Sequence, residues 1–152
     1  MDERFMVAAL KEAEKAWEDG EVPIGAVVVK DGEIVGRGQN RREYGKNALA
    51  HAEIEAIDEA CKNLGGWRLF QCDLYVTLEP CPMCAGAIIN ARIKKVYFGA
   101  YDEKAGSFGS IINLTDFPYN HHPEIQGGIL EETCSKYLSQ FFIELRKKKK
   151  HK

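Results

Sequence analysis

Apolar residues recur along this chain with two different periods, and the switches between them divide it into elements. Over residues 3–19, Met6, Ala9, Leu10, Ala13, Ala16 and Trp17 fall at helical spacing and predict an amphipathic helix. Two apolar runs, IGAVVVK and EIVGRGQN, flank Asp31-Gly32, a dipeptide suited to a two-residue hairpin turn. From residue 52 the spacing returns to 3–4 through Ile54, Ile57, Cys61 and Leu64, and Gly65-Gly66 ends that helix. DLYVTL (73–78) reads as a buried strand stopped by Pro80. PMCAGAIINA (82–91) reads as a helix with Pro82 in its first turn, and KKVYFGAY (94–101) as another strand. Residues 101–127, with several Gly, two Pro and two adjacent His, form a long loop region, which is expected to be functional. Leu130, Cys134, Tyr137, Leu138, Phe141 and Leu145 place a final helix over 128–147. Helix, hairpin, helix, strand, helix, strand, helix is the order of an α/β layered domain. Its hairpin makes the sheet mixed, and its later strands join through right-handed crossovers.

Composition agrees with one globular domain: 152 residues, 45% hydrophobic and 29% charged. No apolar run reaches about 18 residues, so no membrane span is predicted. The first residues, MDERFMVAALKEAEKAW, are unlike an export signal, so a cytoplasmic setting is expected. The five cysteines are then expected as thiols or metal thiolates, their odd number and irregular spacing arguing against a disulfide framework.

Charge divides the chain unevenly. RKKKKHK at the end holds six of the 21 Lys and Arg, leaving 15 basic against 23 acidic residues in the body. We therefore separate a domain over residues 1–146 from a basic tail over 147–152. The acidic body argues against non-specific nucleic-acid binding, whereas the tail suits phosphate contacts or a solvated, disordered end.

Candidate chemistry sits in HAEIEA (51–56) and EPCPMC (79–84). On a regular helix residues 51 and 53 point about 200° apart. They converge only if His51 begins the helix and the target lies over its N-terminal end. Cys81 and Cys84, three apart at a helix start, present two sulfurs on one side. Helix N-termini favour negative charge and lower thiol pKa. Two thiolates and one imidazole suit Zn²⁺. Alone, CPMC fits a redox pair or half of a structural zinc knuckle equally well. A closed structural site needs a fourth protein ligand, and none of Cys61, Cys72, His121 and His122 is an obvious one. Glu53 is placed as a base for a zinc-activated water, whose pKa is lowered to about 7.

HAE followed by PCPMC resembles the H-x-E…P-C-x-x-C pattern of the zinc-dependent nucleobase deaminases. EVPIGAVVV, GQNR, AHAEIEAI, LYVTLEPCPMCAGAIINARI, VYFGAYDEKAGSFGS, YNHHPEI and GGIL extend that likeness over most of residues 20–130. Together they are similar to the bacterial tRNA adenosine deaminases of the cytidine/deoxycytidylate deaminase superfamily. That resemblance implies a three-layer α/β/α cytidine-deaminase-like fold with a central mixed sheet, a homodimer, and one Zn²⁺ per subunit. It implies hydrolytic deamination of adenosine to inosine at the wobble position of a tRNA anticodon, in an arginine tRNA. His51, Cys81 and Cys84 match the zinc ligands and Glu53 the proton shuttle. Asn40 matches a base-recognising asparagine, though it also suits a strand end. The backbone around Ala52 and Pro80 is implied to line the pocket, and Asp102 and Lys104 to contact the anticodon loop. Without the resemblance, Pro80 is a strand stop and Asp102 and Lys104 a solvated pair. Phe142, beside Phe141, is expected to stack against RNA, although one of two adjacent Phe must face the core.

Two other readings compete. A free-base deaminase acting on guanine or cytosine shares the zinc motif, but DEKAGSFGS resembles the tRNA enzymes' loop after the fourth strand. A zinc-stabilised interaction domain without activity would lack ammonia release. Attraction of the basic tail to acidic membranes is weaker, because the tail follows a helix committed to packing.

Overall fold

A computed structural model describes residues 1–150. Its elements run α1 (Glu3–Glu18), β1 (Gly25–Lys30), β2 (Glu33–Gln39), α2 (Ala52–Leu64), β3 (Cys72–Leu78), α3 (Pro82–Asn90), β4 (Lys95–Ala100), β5 (Glu124–Gln126) and α4 (Glu131–Lys150). The sheet order is β2-β1-β3-β4-β5. β1 lies antiparallel to both β2 and β3, whereas β3, β4 and β5 run parallel. At the hairpin tip Asp31 and Gly32 both take positive φ (51° and 77°), the left-handed pair that Asp-Gly favours.

Strand alternation splits the core in two. Ala26, Val28, Leu74, Val76, Val96 and Phe98 pack against α2 and α3 on one face. Val27, Val29, Tyr75 and Tyr97 pack against α1 and α4 on the other. The result is the expected three-layer α/β/α arrangement around a mixed sheet. α2 lies unusually close to β2: a Cβ on Gly36 would stand 2.2 Å from the Ala56 carbonyl oxygen, and one on Gly38 2.1 Å from that of Ala52. The facing helix positions are correspondingly small, Ala52, Ala56 and Ala60.

Three elements depart from expectation. Residues 101–127 are not all loop, since Leu114–Asp116 forms a 3-10 turn and β5 pairs with β4. α4 begins at Glu131 rather than 128, because Gly128 and Leu130 take positive φ (85° and 52°). It also continues past 147 to Lys150, where the last-turn lysines oppose the negative end of the helix dipole. His151 and Lys152 of the basic tail lie outside the described residues. Of the adjacent phenylalanines, Phe141 is buried edge-on against Trp17 (centroids 5.7 Å apart), and Phe142 is exposed.

Candidate active site

Two helix N-termini meet where the sequence motifs predicted. His51 is the N-cap of α2 and Cys81 the N-cap of α3, both in extended backbone and neither making a side-chain cap bond. Pro82 occupies the first turn of α3, where its missing N–H would be unpaired in any case. Cys84 follows one turn on. His51 Nδ1 stands 3.7 Å from Cys81 Sγ and 3.5 Å from Cys84 Sγ. A tetrahedral zinc with Zn–S of about 2.3 Å and Zn–N of about 2.0–2.1 Å requires S···N edges of about 3.6 Å. The three donors therefore fit Zn²⁺ as they stand, and among the described residues they form the one such group of His, Cys, Asp or Glu.

The thiols are poised for a cation. Cys81 is lowered to about 4, first by the hydrogen bond from Cys84 and then by that from His51. Cys84 is raised by the same shared proton and by burial. Cys81 is thus pushed towards the thiolate and Cys84 towards the thiol, and a divalent cation would take the place of the shared proton. The His51 imidazole is raised by its hydrogen bond to Cys81.

Glu53, two residues into the same helix end, is buried, yet it is not part of the donor group. Burial pushes its carboxyl up to about 7. The Cys81 charge adds to that rise and His51 opposes it. A carboxyl with this value can both take and return a proton near neutrality.

Glu53, His51 and Cys81 line a cavity of about 620 Å³ that also reaches Asn40, Asp102, Lys104 and Phe142. Asn40 follows β2 and is buried; its backbone N–H donates to the Ile24 carbonyl (3.1 Å). Among the described residues its amide side chain makes no hydrogen bond, so it is available to a ligand. Ala52 and Pro80, expected to line the pocket through their backbone, are buried between residues that do line it, His51 and Glu53 for the first and Glu79 and Cys81 for the second. Ala52 is fully buried in the core, and the Pro80 carbonyl is taken by the Ser107 N–H (2.9 Å). Neither adjacent histidine approaches the donors: His121 Nε2 meets the Ile93 carbonyl and His122 Nε2 that of Phe117. Cys61, Cys72 and Cys134 are free thiols elsewhere.

Sequence reasoning missed Arg42, Glu79 and Tyr101, which also line the cavity. It also missed two buried carboxylates, Glu21 and Glu79, which hold neighbouring loops. The polar character of these residues gave no signal, because the backbone groups they bind are distant in sequence.

Residues 1–100 match the family described as the cytidine and deoxycytidylate deaminase zinc-binding region. The tRNA-specific adenosine deaminase of Bacillus subtilis is 57% identical over 150 residues, spanning 98% of this chain and 93% of that protein. A solved structure from work on A-to-I editing by tRNA:A34 deaminases at the wobble position superposes with a TM-score of 0.85. It shares 47% identity and covers 89% of this chain and 99% of its own. Guanine deaminase from Bacillus subtilis is more distant, with 39% identity, TM-score 0.65, and 83% and 85% coverage.

Proposed function

The chain belongs to the cytidine and deoxycytidylate deaminase zinc-binding family, and from that premise we propose that it converts adenosine to inosine at the wobble position of a tRNA anticodon, with an arginine tRNA as substrate. The observation that carries this reading is the cavity: proton-transfer and metal-ligating groups at its floor, cations and an aromatic ring at its rim. A free base has no use for Arg42, Lys104 and Phe142, whereas a splayed nucleotide brings phosphates and flanking bases to them. The higher identity to the tRNA-specific relative than to guanine deaminase supports the same choice.

Zn²⁺ held by His51 Nδ1, Cys81 Sγ and Cys84 Sγ would supply water ionised near neutral pH and so ready to attack. With such a water in place, Glu53 would take one proton from it and deliver it to N1 of the adenine ring as the water oxygen bonds to C6. Glu53 would then take the second proton from the new C6 hydroxyl and pass it to the amine, so that the C–N bond breaks, ammonia leaves and the C6 carbonyl of inosine remains. Asn40 offers its free amide to the base and fixes which ring enters. Burial around Glu53 keeps bulk water from short-circuiting the proton. Asp102, Lys104 and Phe142 are assigned to the flanking nucleotides.

The deciding experiment compares an anticodon stem-loop carrying adenosine with free adenosine, guanine and cytosine, following ammonia and inosine. We expect kcat/KM on the stem-loop to exceed that on any free base or nucleoside by at least about 10³-fold, because remote contacts are used to orient the base. Comparable efficiency on guanine would establish the free-base alternative instead.

The basic stretch 147–152, set apart from the domain over 1–146, is assigned to RNA phosphates. Every residue from Phe142 to Lys150 is exposed on the outer turns of α4, continuing the helix that lines the cavity with Leu138 and Phe142. Removing residues 147–152 should lower the log–log salt slope of RNA binding by about 0.7 per lost contact, with turnover at saturation unchanged. An unaltered slope would mean a solvated end. A homodimer is supported by exposed Ile111, Ile112 and Phe117 in the segment before β5. A cytoplasmic setting is supported by the tRNA substrate and the free thiols. No helix among the described residues is long and apolar enough to cross a membrane.

A further inference from the structure

Glu79 directly follows β3 and is 2% exposed, and no cation pairs with it among the described residues. Its carboxylate instead accepts from one loop four times. Oε1 receives the Asp102 N–H (3.1 Å) and the Ser110 hydroxyl (2.5 Å), and Oε2 the N–H groups of Phe108 and Ser110 (3.1 Å each). Such a set of converging donors suits an acceptor-only, ionised group. The loop also crosses close above it: a Cβ on Gly106 would lie 2.4 Å from Glu79 Cδ, so only glycine fits there.

Glu21, just before β1, repeats the device on the other side. It is 1% exposed, and its two oxygens accept the N–H groups of Glu43 (3.1 Å) and Tyr44 (2.5 Å). That loop carries Arg42 and leads into His51, while the Glu79 loop carries Asp102, Lys104 and Ala105. The two walls of the cavity mouth are thus each fastened by a buried carboxylate at the end of a neighbouring connection, Glu21 between α1 and β1 and Glu79 just after β3, which accepts mainly from backbone N–H groups.

Glu79 borders the cavity, but both of its oxygens are already taken by donors from the loop. We propose that Glu79 and Glu21 are positioning residues that hold the two substrate-facing loops in their binding geometry rather than acting on the reacting base. This rests on the cavity receiving RNA as proposed above. A buried charge is a costly way to tie a loop, and an apolar contact would tie it without fixing backbone direction. Directed N–H bonds set where the loop side chains point, which is what recognition of a flexible strand needs.

The test is Glu79→Gln in the zinc-loaded full chain, because the amide keeps the shape but offers one acceptor oxygen where there were two. Hydrogen exchange at the Asp102, Phe108 and Ser110 amides should quicken by at least about tenfold, with Val76 and Phe98 in the strands unchanged. KM for the anticodon stem-loop should rise about tenfold while kcat moves by less than about threefold and zinc stays bound. Glu21→Gln should do the same at the Glu43 and Tyr44 amides. A merely structural role would lower the melting temperature with KM unmoved, and that outcome, or unchanged loop exchange, overturns the proposal. If Glu79→Gln does not fold, Ser110→Ala removes one donor alone and should raise exchange and KM by about threefold; no change in either rejects the assignment. Wild-type protein that makes no inosine from the stem-loop would sink the functional reading, while the exchange measurements would still decide the role of the two carboxylates in holding the loops.

Discussion

Glu53→Gln is expected to reduce inosine formation by about 10³-fold while the chain still binds one zinc, because a positioned acid–base group is worth about 10²–10⁴-fold. The amide keeps the size of the side chain and cannot carry a proton. Substrate affinity should change little, so the loss appears in kcat. Metal analysis beside single-turnover assays separates the roles: a variant that lost its zinc would identify Glu53 as a ligand. The same change has a second signature in the metal-free protein. Burial raises the carboxyl from its ordinary 4.5 to about 7. The unfolded chain therefore releases this proton at lower pH than the folded one, and the group costs stability progressively as pH rises from 4.5 to about 7. Glutamine removes that cost, so metal-free Glu53→Gln should melt no lower than the metal-free parent at pH 7. Glu53 is thus a residue that the metal-free fold tolerates at some expense.

Loss of a thiolate should be as severe for a different reason. Cys84→Ala is predicted to bring zinc from about one per chain to near none and to abolish detectable deamination, a fall of at least about 10³-fold. Two remaining donors leave a metal too weakly held to persist through purification. Because the ligands come from the starts of α2 and α3, the metal also ties these helices together, so the variant and chelator-treated protein should both melt below the loaded parent. Added Zn²⁺ should restore the chelated parent and leave the variant inactive. A variant retaining a full complement of zinc would break the His51, Cys81 and Cys84 assignment.

What the sequence makes legible depends on whether the cause is local. The Asp31-Gly32 turn, the helix of residues 3–18 and the two motif-bearing helix starts follow from neighbours in the chain, and each lies where the pattern placed it. β5 does not, since Glu-Ile-Gln is too short and polar to announce a strand and becomes one only by lying beside β4. The start of α4 was displaced by left-handed backbone at Gly128 and Leu130, which apolar spacing does not register. In the site, the meeting of His51, Cys81 and Cys84 at two helix starts was readable because helix geometry constrains their pairing. Which of Phe141 and Phe142 turns outward was not, because it depends on Trp17, more than a hundred residues away. Glu79 and Glu21 stayed hidden for the same reason, with partners that are backbone amides of remote loops.

The contact of β2 with α2 has a mechanical consequence. Where Gly36 and Gly38 face Ala52, Ala56 and Ala60, the two elements touch with almost no side chain between them. Such a seam has no rotamers to exchange, so it offers no soft coordinate along which the helix can rock at low energy. The 13-residue helix behaves as a stiff rod of ~20 Å seated at the end that carries His51 and Glu53. A methyl group introduced at Gly38 would act beside that seat, against the Ala52 carbonyl, and would tilt the rod rather than be absorbed by repacking. The placement of the Glu53 carboxyl is therefore set by a glycine on a strand that does not line the cavity.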